Sequence, residues 1–172
     1  YWVERSEDPP AVAFASYGQM LQHNNELGRA AEIYKQAIDR DPRLTTIRAR
    51  RANILVTMSR EGQASEEAIK VFEAEPDEQA AKLALSVAET LCDKWEASLR
   101  DDEIRRMVEK AGDYIQLSAK MLAHRARVSA LDGDTSAAKR DLKAARRIAP
   151  DLDIYARIES EIRPAKQSWW RF

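Results

Sequence analysis

The 172-residue sequence is poor in several residue types, and each scarcity excludes a class of protein. Cys92 is the single cysteine, which excludes an internal disulfide and a cysteine-based zinc site. Five glycines and six prolines are too few for the frequent turns of an all-β protein. No apolar run approaches the ~18 residues of a membrane span, and no signal peptide is recognisable. The formal net charge of −1 gives no electrostatic reason to expect a nucleic-acid partner.

Residues that carry catalysis are also scarce. The two histidines, His23 and His124, lie far apart in the sequence. Cys92 has no neighbouring histidine and falls on or beside an apolar helix face, which favours a small buried filler over a nucleophile. The sequence contains no glycine-rich phosphate loop, no GxSxG and no HExxH. We therefore expect a protein that is not an enzyme and that binds no metal and no cofactor.

What the sequence does contain is apolar residues at helical spacing. Two stretches, residues 12–21 and 27–38, repeat apolar side chains every three or four positions, which places each set on one side of a helix. The polar segment 22–26 between them is long enough only for a tight turn. Pro42 ends the second helix, because proline lacks the amide hydrogen and disfavours helical geometry in the residue before it. Each helix needs a neighbour to cover its apolar stripe, so a helix pair is expected.

The residues that end a helix and those that allow close helix packing recur along the chain. A small residue and a closing proline return after 34 residues, at Ala30 and Ala64 and at Pro42 and Pro76. A further copy near the end has Ala138 and Pro150 in these two places. The turn of that copy holds Gly133, which suits the left-handed position that stops a helix. Asp134 follows it and can cap the next helix.

This pattern resembles the tetratricopeptide repeat, in which a bulky residue, a small one, an alanine, an aromatic, a second alanine and a proline recur at set intervals. The first copy fills these places with Phe14, Gly18, Ala30, Tyr34, Ala37 and Pro42. The last copy fills them with Leu122, Ala126, Ala138, Leu142, Ala145 and Pro150. The second copy departs from the pattern at Arg48 and Ala68. The resemblance implies an all-α fold, a right-handed α-α superhelix (solenoid) of helix pairs closed by a C-terminal capping helix.

These observations divide the chain. We expect an extended N-terminal segment (1–10), a single solenoid (11–163) and an aromatic tail (164–172). The solenoid comprises repeats at about 11–44 and 45–78, a degenerate repeat at 79–118, a repeat at 119–152 and a capping helix at 152–163. In the degenerate repeat, Asp101 or Asp102 is expected to cap the second helix. Trp169 and Trp170 in the tail either pack on the last helix or act as an interfacial membrane anchor.

In tetratricopeptide proteins the first helix of each pair lines a concave groove, so the resemblance implies which side chains face a partner. Carried over place by place, these are Ser16, Gln19 and His23, then Arg50, Asn53 and Thr57, and finally Lys120, His124 and Arg127. The basic and imidazole side chains of the last set suggest a ligand with negative charge, such as an acidic peptide or a C-terminus. The alternative is that this set forms a solvated helix face.

The resemblance thus implies a non-catalytic scaffold or adaptor that binds a peptide or a partner domain. The composition of the sequence, with Arg- and Ala-rich helices and a moderate length, resembles that of accessory modules of bacterial envelope assembly, such as polysaccharide export. The alternatives are a regulatory domain appended to a membrane-bound enzyme, such as a glycan polymerase or ligase, and a homo-oligomeric self-association module. Because the chain begins at Tyr1 and not at Met, a membrane tether upstream is consistent with it. The sequence leaves cytoplasmic and periplasmic locations open.

Overall fold

The computed structural model describes residues 9–162, a range that contains helices and no strand. The α-helices in this range are α1 (Ala11–His23), α2 (Leu27–Arg40), α3 (Thr45–Thr57), α4 (Glu61–Glu73), α5 (Glu78–Ala97), α6 (Asp101–Ala111), α7 (Ala119–Leu131), α8 (Thr135–Ile148) and α9 (Ile154–Ile162). A 3-10 helix, Gly112–Leu117, connects α6 to α7. Among the helices described, none combines the length and the apolar content that crossing a membrane requires.

One turn geometry occurs four times within residues 9–162. In each case a backbone amide donates to the carbonyl five residues earlier, closing the turn between two helices. The donors and acceptors are Glu26 and Leu21, Arg60 and Leu55, Arg100 and Trp95, and Asp134 and Ser129. Successive acceptors lie 34, 40 and 34 residues apart. The first helix of the third pair accounts for the longer interval, because α5 has 20 residues whereas α1, α3 and α7 have 13 each. Of these seven extra residues one is offset by α4, which has 13 residues where α2 has 14.

The chain divides into two compact units, one ending at Leu91 and one beginning at Cys92. In the N-terminal unit α1 packs against α2, α2 against α3, and α3 against α4. In the C-terminal unit α7 is central, because it contacts α6, α8, α9 and the 3-10 helix. Among these helices, the apolar stripe of one helix is covered by a neighbouring helix of the same unit, as the spacing predicts.

Several local predictions are confirmed. Ala30, Ala64 and Ala138 are fully buried, as expected of small residues where helices approach closely. Gly133 has a φ of +81°, in the left-handed region, and the Asp134 side chain accepts a hydrogen bond from the amide of Ala137. Cys92 is also fully buried.

Other local predictions are wrong. The spacing predicts that Val12 lies on the apolar side of α1, but it is 65 % exposed. It lies about 200° around the helix from Phe14, on the opposite side. Neither Asp101 nor Asp102 caps α6. Arg100 occupies the capping position, but its side chain makes no capping hydrogen bond and donates to Glu103. Asp101 accepts a hydrogen bond from Arg127 Nη1 at 2.6 Å.

The predicted capping helix is present as α9, which begins at Ile154 and not at residue 152. Its buried side chains are Tyr155, Ile158 and Ile162. Of the predicted N-terminal segment, the structure describes only Pro9 and Pro10, and the backbone of Pro10 is extended. The predicted aromatic tail, including Trp169 and Trp170, lies outside the described residues.

A candidate partner-binding site around Arg50

A close contact between α1 and α2 organises one surface of the N-terminal unit. A Cβ atom at Gly18 would lie 2.5 Å from Cδ1 and Cε1 of Tyr34, so only glycine lets this ring pack where it does. Tyr34 is fully buried, and its hydroxyl donates to Oε1 of Gln22 at 2.9 Å. The missing side chain of Gly18 therefore positions Gln22 at the end of α1 by way of Tyr34.

Arg50 on α3 faces this part of α1. Together with Gln19, Gln22 and His23 it lines a cavity of about 430 Å³. Gln19, His23 and Arg50 are three of the groove residues that the repeat pattern predicts, so the structure brings these three together. Burial raises the pKa of Tyr34, and the nearby charge of Arg50 offsets part of that increase.

Arg50 also lines a second cavity. It has a volume of about 510 Å³, and the start of α5 completes its lining with Glu78, Gln79, Lys82 and Leu83. A hydrogen bond from Lys82 holds the pKa of Glu78 below its usual value. Arg50 thus contributes to two neighbouring cavities of the same unit.

The Arg50 side chain is half-buried, and its Nε atom is buried without a hydrogen-bond partner among residues 9–162. An unsatisfied buried donor costs about 1–3 kcal/mol. A guanidinium offers five donors in a planar fork, whose geometry matches a carboxylate in a bidentate contact. The amides of Gln19 and Gln22 can both donate and accept beside it. The arrangement can therefore accommodate a carboxylate group.

The other predicted groove residues of the N-terminal unit lie outside both cavities. Ser16, Asn53 and Thr57 are exposed, and none of them lines the cavities at Arg50. Thr57 donates its hydroxyl hydrogen to the carbonyl of Asn53 at 3.1 Å, within its own helix. These side chains are available at the surface of α1 and α3 without being gathered into one site.

The predicted residues of the last repeat have a different environment. His124 is fully buried, and its Nε2 lies 3.1 Å from Oδ1 of Asp93. Lys120 donates to the other oxygen of Asp93 at 2.9 Å. Arg127 is 6 % exposed. His124 and Arg127 are therefore buried inside the C-terminal unit. Side chains that face a groove would be accessible to a partner, and these two are not.

Arg127 belongs to a buried network of charges. Its Nη1 donates to Asp101, and its Nε lies 3.2 Å from Oε1 of Glu96. These last two atoms are close but are not aligned for a hydrogen bond, so the contact is ionic. Glu96 is itself buried and also receives Arg157 Nη2 at 2.8 Å. A carboxylate this deeply buried requires such cations, because an unpaired charge there would be strongly destabilising.

Asp93, Glu96 and His124 also satisfy one requirement of a metal site. One possible ligand atom from each lies within 4.8 Å of the others. However, Lys120 is bound to Asp93, and two guanidinium groups approach Glu96. A divalent cation would have to displace these groups, so the cluster is better described as an ion-pair network.

Sequence reasoning missed parts of both regions. It placed Gln22 in a turn, and it did not carry groove positions onto the degenerate repeat, whose register was not evident from the sequence. The recurring turn supplies that register and puts Asp93 in the place of Gln19. It likewise aligns His124 with Arg50 and with Ser16, Arg127 with Gln19, and Leu131 with His23. The predicted set of the last repeat is therefore shifted by one place, and Lys120 falls outside the groove positions. The signal that could have located Asp93 is the 40-residue interval between the second and third turns.

Comparison of the sequence with protein-family models and with curated proteins found no match to either.

Proposed function

We propose that this protein is a non-catalytic scaffold of the tetratricopeptide type, which binds a carboxylate-bearing segment of a partner protein at Arg50. The observation that carries the proposal is the buried Nε of Arg50, which has no hydrogen-bond partner among residues 9–162 and lies beside Gln19 and His23. A carboxylate bound in the cavity would offset the charge of the guanidinium, and a rotation of the side chain would bring the Nε donor to it.

Two features of the chain support the repeat type and the solenoid arrangement that goes with it. The turn between paired helices recurs at intervals of 34, 40 and 34 residues. Small, fully buried side chains occupy equivalent places in the first, second and fourth pairs, at Ala30, Ala64 and Ala138. A run of helix pairs of this length is the sequence signature of tetratricopeptide arrays.

The proposed mechanism is recognition by a preformed surface. α1 and α3 are held by packing against α2 and α4, so the protein loses little conformational entropy when a peptide binds. Arg50 would set the register of the peptide through a bidentate contact, and Gln19 and Gln22 would hydrogen-bond the neighbouring peptide groups. On the composition and length of its sequence alone, we propose that the protein is an accessory module of bacterial envelope assembly.

The test uses peptides of two kinds, one set ending in free carboxylates and one set amidated at the C-terminus with internal Asp or Glu. Binding of each peptide is measured for the wild type, for Arg50→Gln and for Arg60→Gln. Arg60 is an exposed arginine of the same unit outside both cavities, so its variant removes the same charge. We expect carboxylate-dependent binding that Arg50→Gln weakens by about tenfold or more and that Arg60→Gln leaves within about twofold.

Equal binding by Arg50→Gln and the wild type would refute the proposed site. Binding of no peptide, together with concentration-dependent self-association, would favour the homo-oligomeric alternative. The sequences of the peptides that bind the wild type and lose binding in Arg50→Gln would then be compared with proteins of envelope assembly and with membrane-bound enzymes, to find candidate partners.

A further inference from the structure

The C-terminal unit contains a groove whose charge is concentrated on one wall. The groove lies between α8 and α9 and has a volume of about 660 Å³. α8 lines it with Lys139, Lys143, Arg146 and Arg147. The acid that lines it is Glu159 on α9, which pairs with Arg146 Nη1 at 2.7 Å. Arg146 also stacks over the ring of Tyr155, so this arginine is engaged within the unit.

The other three cations form a row. Lys139, Lys143 and Arg147 are spaced by four residues, so they project from one side of α8 over about 12 Å. Within residues 9–162 they make no ion pair. Like charges four residues apart destabilise a helix by roughly 0.2–0.5 kcal/mol per pair. The negative end of the helix dipole favours a cation in the last turn, which accounts for Arg147 but not for the two lysines.

The floor of the groove is apolar. Leu142 of α8 and Ile162 of α9 line it, and both are largely buried. An apolar floor beside one cationic wall matches an amphipathic helix that carries acidic residues along one edge. The acids of such a helix, spaced by four residues, would face the row on α8. A flat anionic membrane surface does not enter a groove in this way, and a nucleic-acid strand would bring phosphate charges against Glu159 on the other wall.

We propose that the α8–α9 groove is a second binding site, which takes an acidic amphipathic helix of a partner protein. This site goes beyond the proposed function, because it lies in the other unit and binds its ligand through a different contact. Three cations would contribute to it through charge complementarity, and Leu142 and Ile162 through apolar contact.

The probe is a synthetic helical peptide of about 16 residues with leucines along one side and glutamates beside them, labelled for fluorescence anisotropy. A control peptide carries lysine in place of each glutamate. The full chain is compared with Lys143→Glu/Arg147→Glu and with Arg106→Glu/Arg140→Glu. The second variant makes the same change of net charge at exposed residues of α6 and α8 outside the groove.

We expect the glutamate peptide to bind and the lysine peptide not to bind. The groove variant should weaken binding by about tenfold or more, while the control variant stays within about twofold. Higher ionic strength should weaken the interaction, because the contact depends on charge. Arg50→Gln should leave it unchanged, which separates this proposal from the proposed function.

Three outcomes would overturn the proposal. The glutamate peptide could fail to bind the full chain, or both double variants could weaken binding equally, which would show a non-specific charge effect. The third is binding of vesicles with about one third anionic lipid that is lost in the groove variant, without any binding of the glutamate peptide. That result would assign the groove to a membrane surface.

Discussion

Equivalent positions in the two units have opposite environments. The recurring turn aligns Arg50 with His124, and Gln19 with Asp93. In the N-terminal unit, Arg50 and Gln19 line a cavity, and the Nε atom of Arg50 has no partner within the described chain. In the C-terminal unit, His124 is fully buried and contacts Asp93.

The difference arises from the residue that faces each basic group. Gln19 is neutral, so it supplies no counter-charge to Arg50. Asp93 is charged, and hydrogen bonds from His124 and Lys120 hold its pKa at about 2. The position that holds neutral Gln19 in the N-terminal unit thus holds an acid, Asp93, in the C-terminal unit. This acid pairs with His124 and Lys120 and forms part of an ion-pair network there. One repeated helical position therefore lines a cavity in one unit and takes part in a buried contact in the other.

The largest expected effect is in the buried network of the C-terminal unit. Arg127→Glu would place a fourth carboxylate beside Glu96, Asp101 and Glu161, all of which lie within 4.0 Å of Arg127. We expect the free energy of unfolding to fall by about 3–5 kcal/mol. Chemical denaturation measures this loss, with Arg106→Glu as the exposed control. An unchanged unfolding curve would mean that Arg127 is a surface residue, and the contrast between the two units would disappear.

The next effect concerns the packing that positions Gln22. Gly18→Ala would push a methyl group into the ring of Tyr34 and should destabilise the N-terminal unit by about 1–3 kcal/mol. Gly62→Ala is the matched control, because a Cβ there meets no atom within 4 Å. In helix α4 that control should be neutral or stabilising by up to about 1 kcal/mol. Equal thermal stability of the two variants would show that the contact between Gly18 and Tyr34 is not tight.

A smaller effect depends on pH. The pKa of Asp93 is about 2 in the folded chain, below its ordinary value of 3.8. The carboxylate therefore contributes stability above about pH 4, and this contribution is lost as the pH falls towards 2. Because Asp93 is 43 % exposed, we expect only about 1 kcal/mol. Asp93→Asn should lower stability at pH 7 and match the wild type near pH 2. A difference that is independent of pH would contradict this account.

The smallest change in stability should come from importing the acid of the C-terminal unit into the N-terminal unit. Gln19→Asp would give Arg50 a counter-ion at a half-exposed site, with a stabilisation of about 0.5 kcal/mol. The same change should weaken binding of carboxylate peptides, because the new acid occupies and neutralises Arg50. Gln36→Asp, an exposed substitution on α2, is the control. Unchanged peptide binding in Gln19→Asp would separate Arg50 from the binding site.

Much of the fold could be predicted from local patterns. The stop at Pro42, the left-handed Gly133 and the cap at Asp134 each depend on a few consecutive residues, and the predicted helices occur where these signals place them. Three of the predicted groove residues, Gln19, His23 and Arg50, line one cavity, and their role in binding stays a prediction. The prediction at Asp101 failed for a different reason. Asp101 is the first residue of α6, one place after the capping position, and its side chain is bound by Arg127, which follows 26 residues later.

The sequence by itself determined the helices, their 34-residue recurrence and the small buried residues between them, because these follow from backbone geometry and from residues a few positions apart. The tertiary structure alone decided which basic side chains are paired with acidic groups inside the protein and which have no acidic partner in the described part of the chain. A basic side chain on a first helix looks the same in the sequence at residue 50 and at residue 127. Only packing against other helices brings Glu96 and Asp101 to Arg127, whereas it brings neutral Gln19 and Gln22 to Arg50.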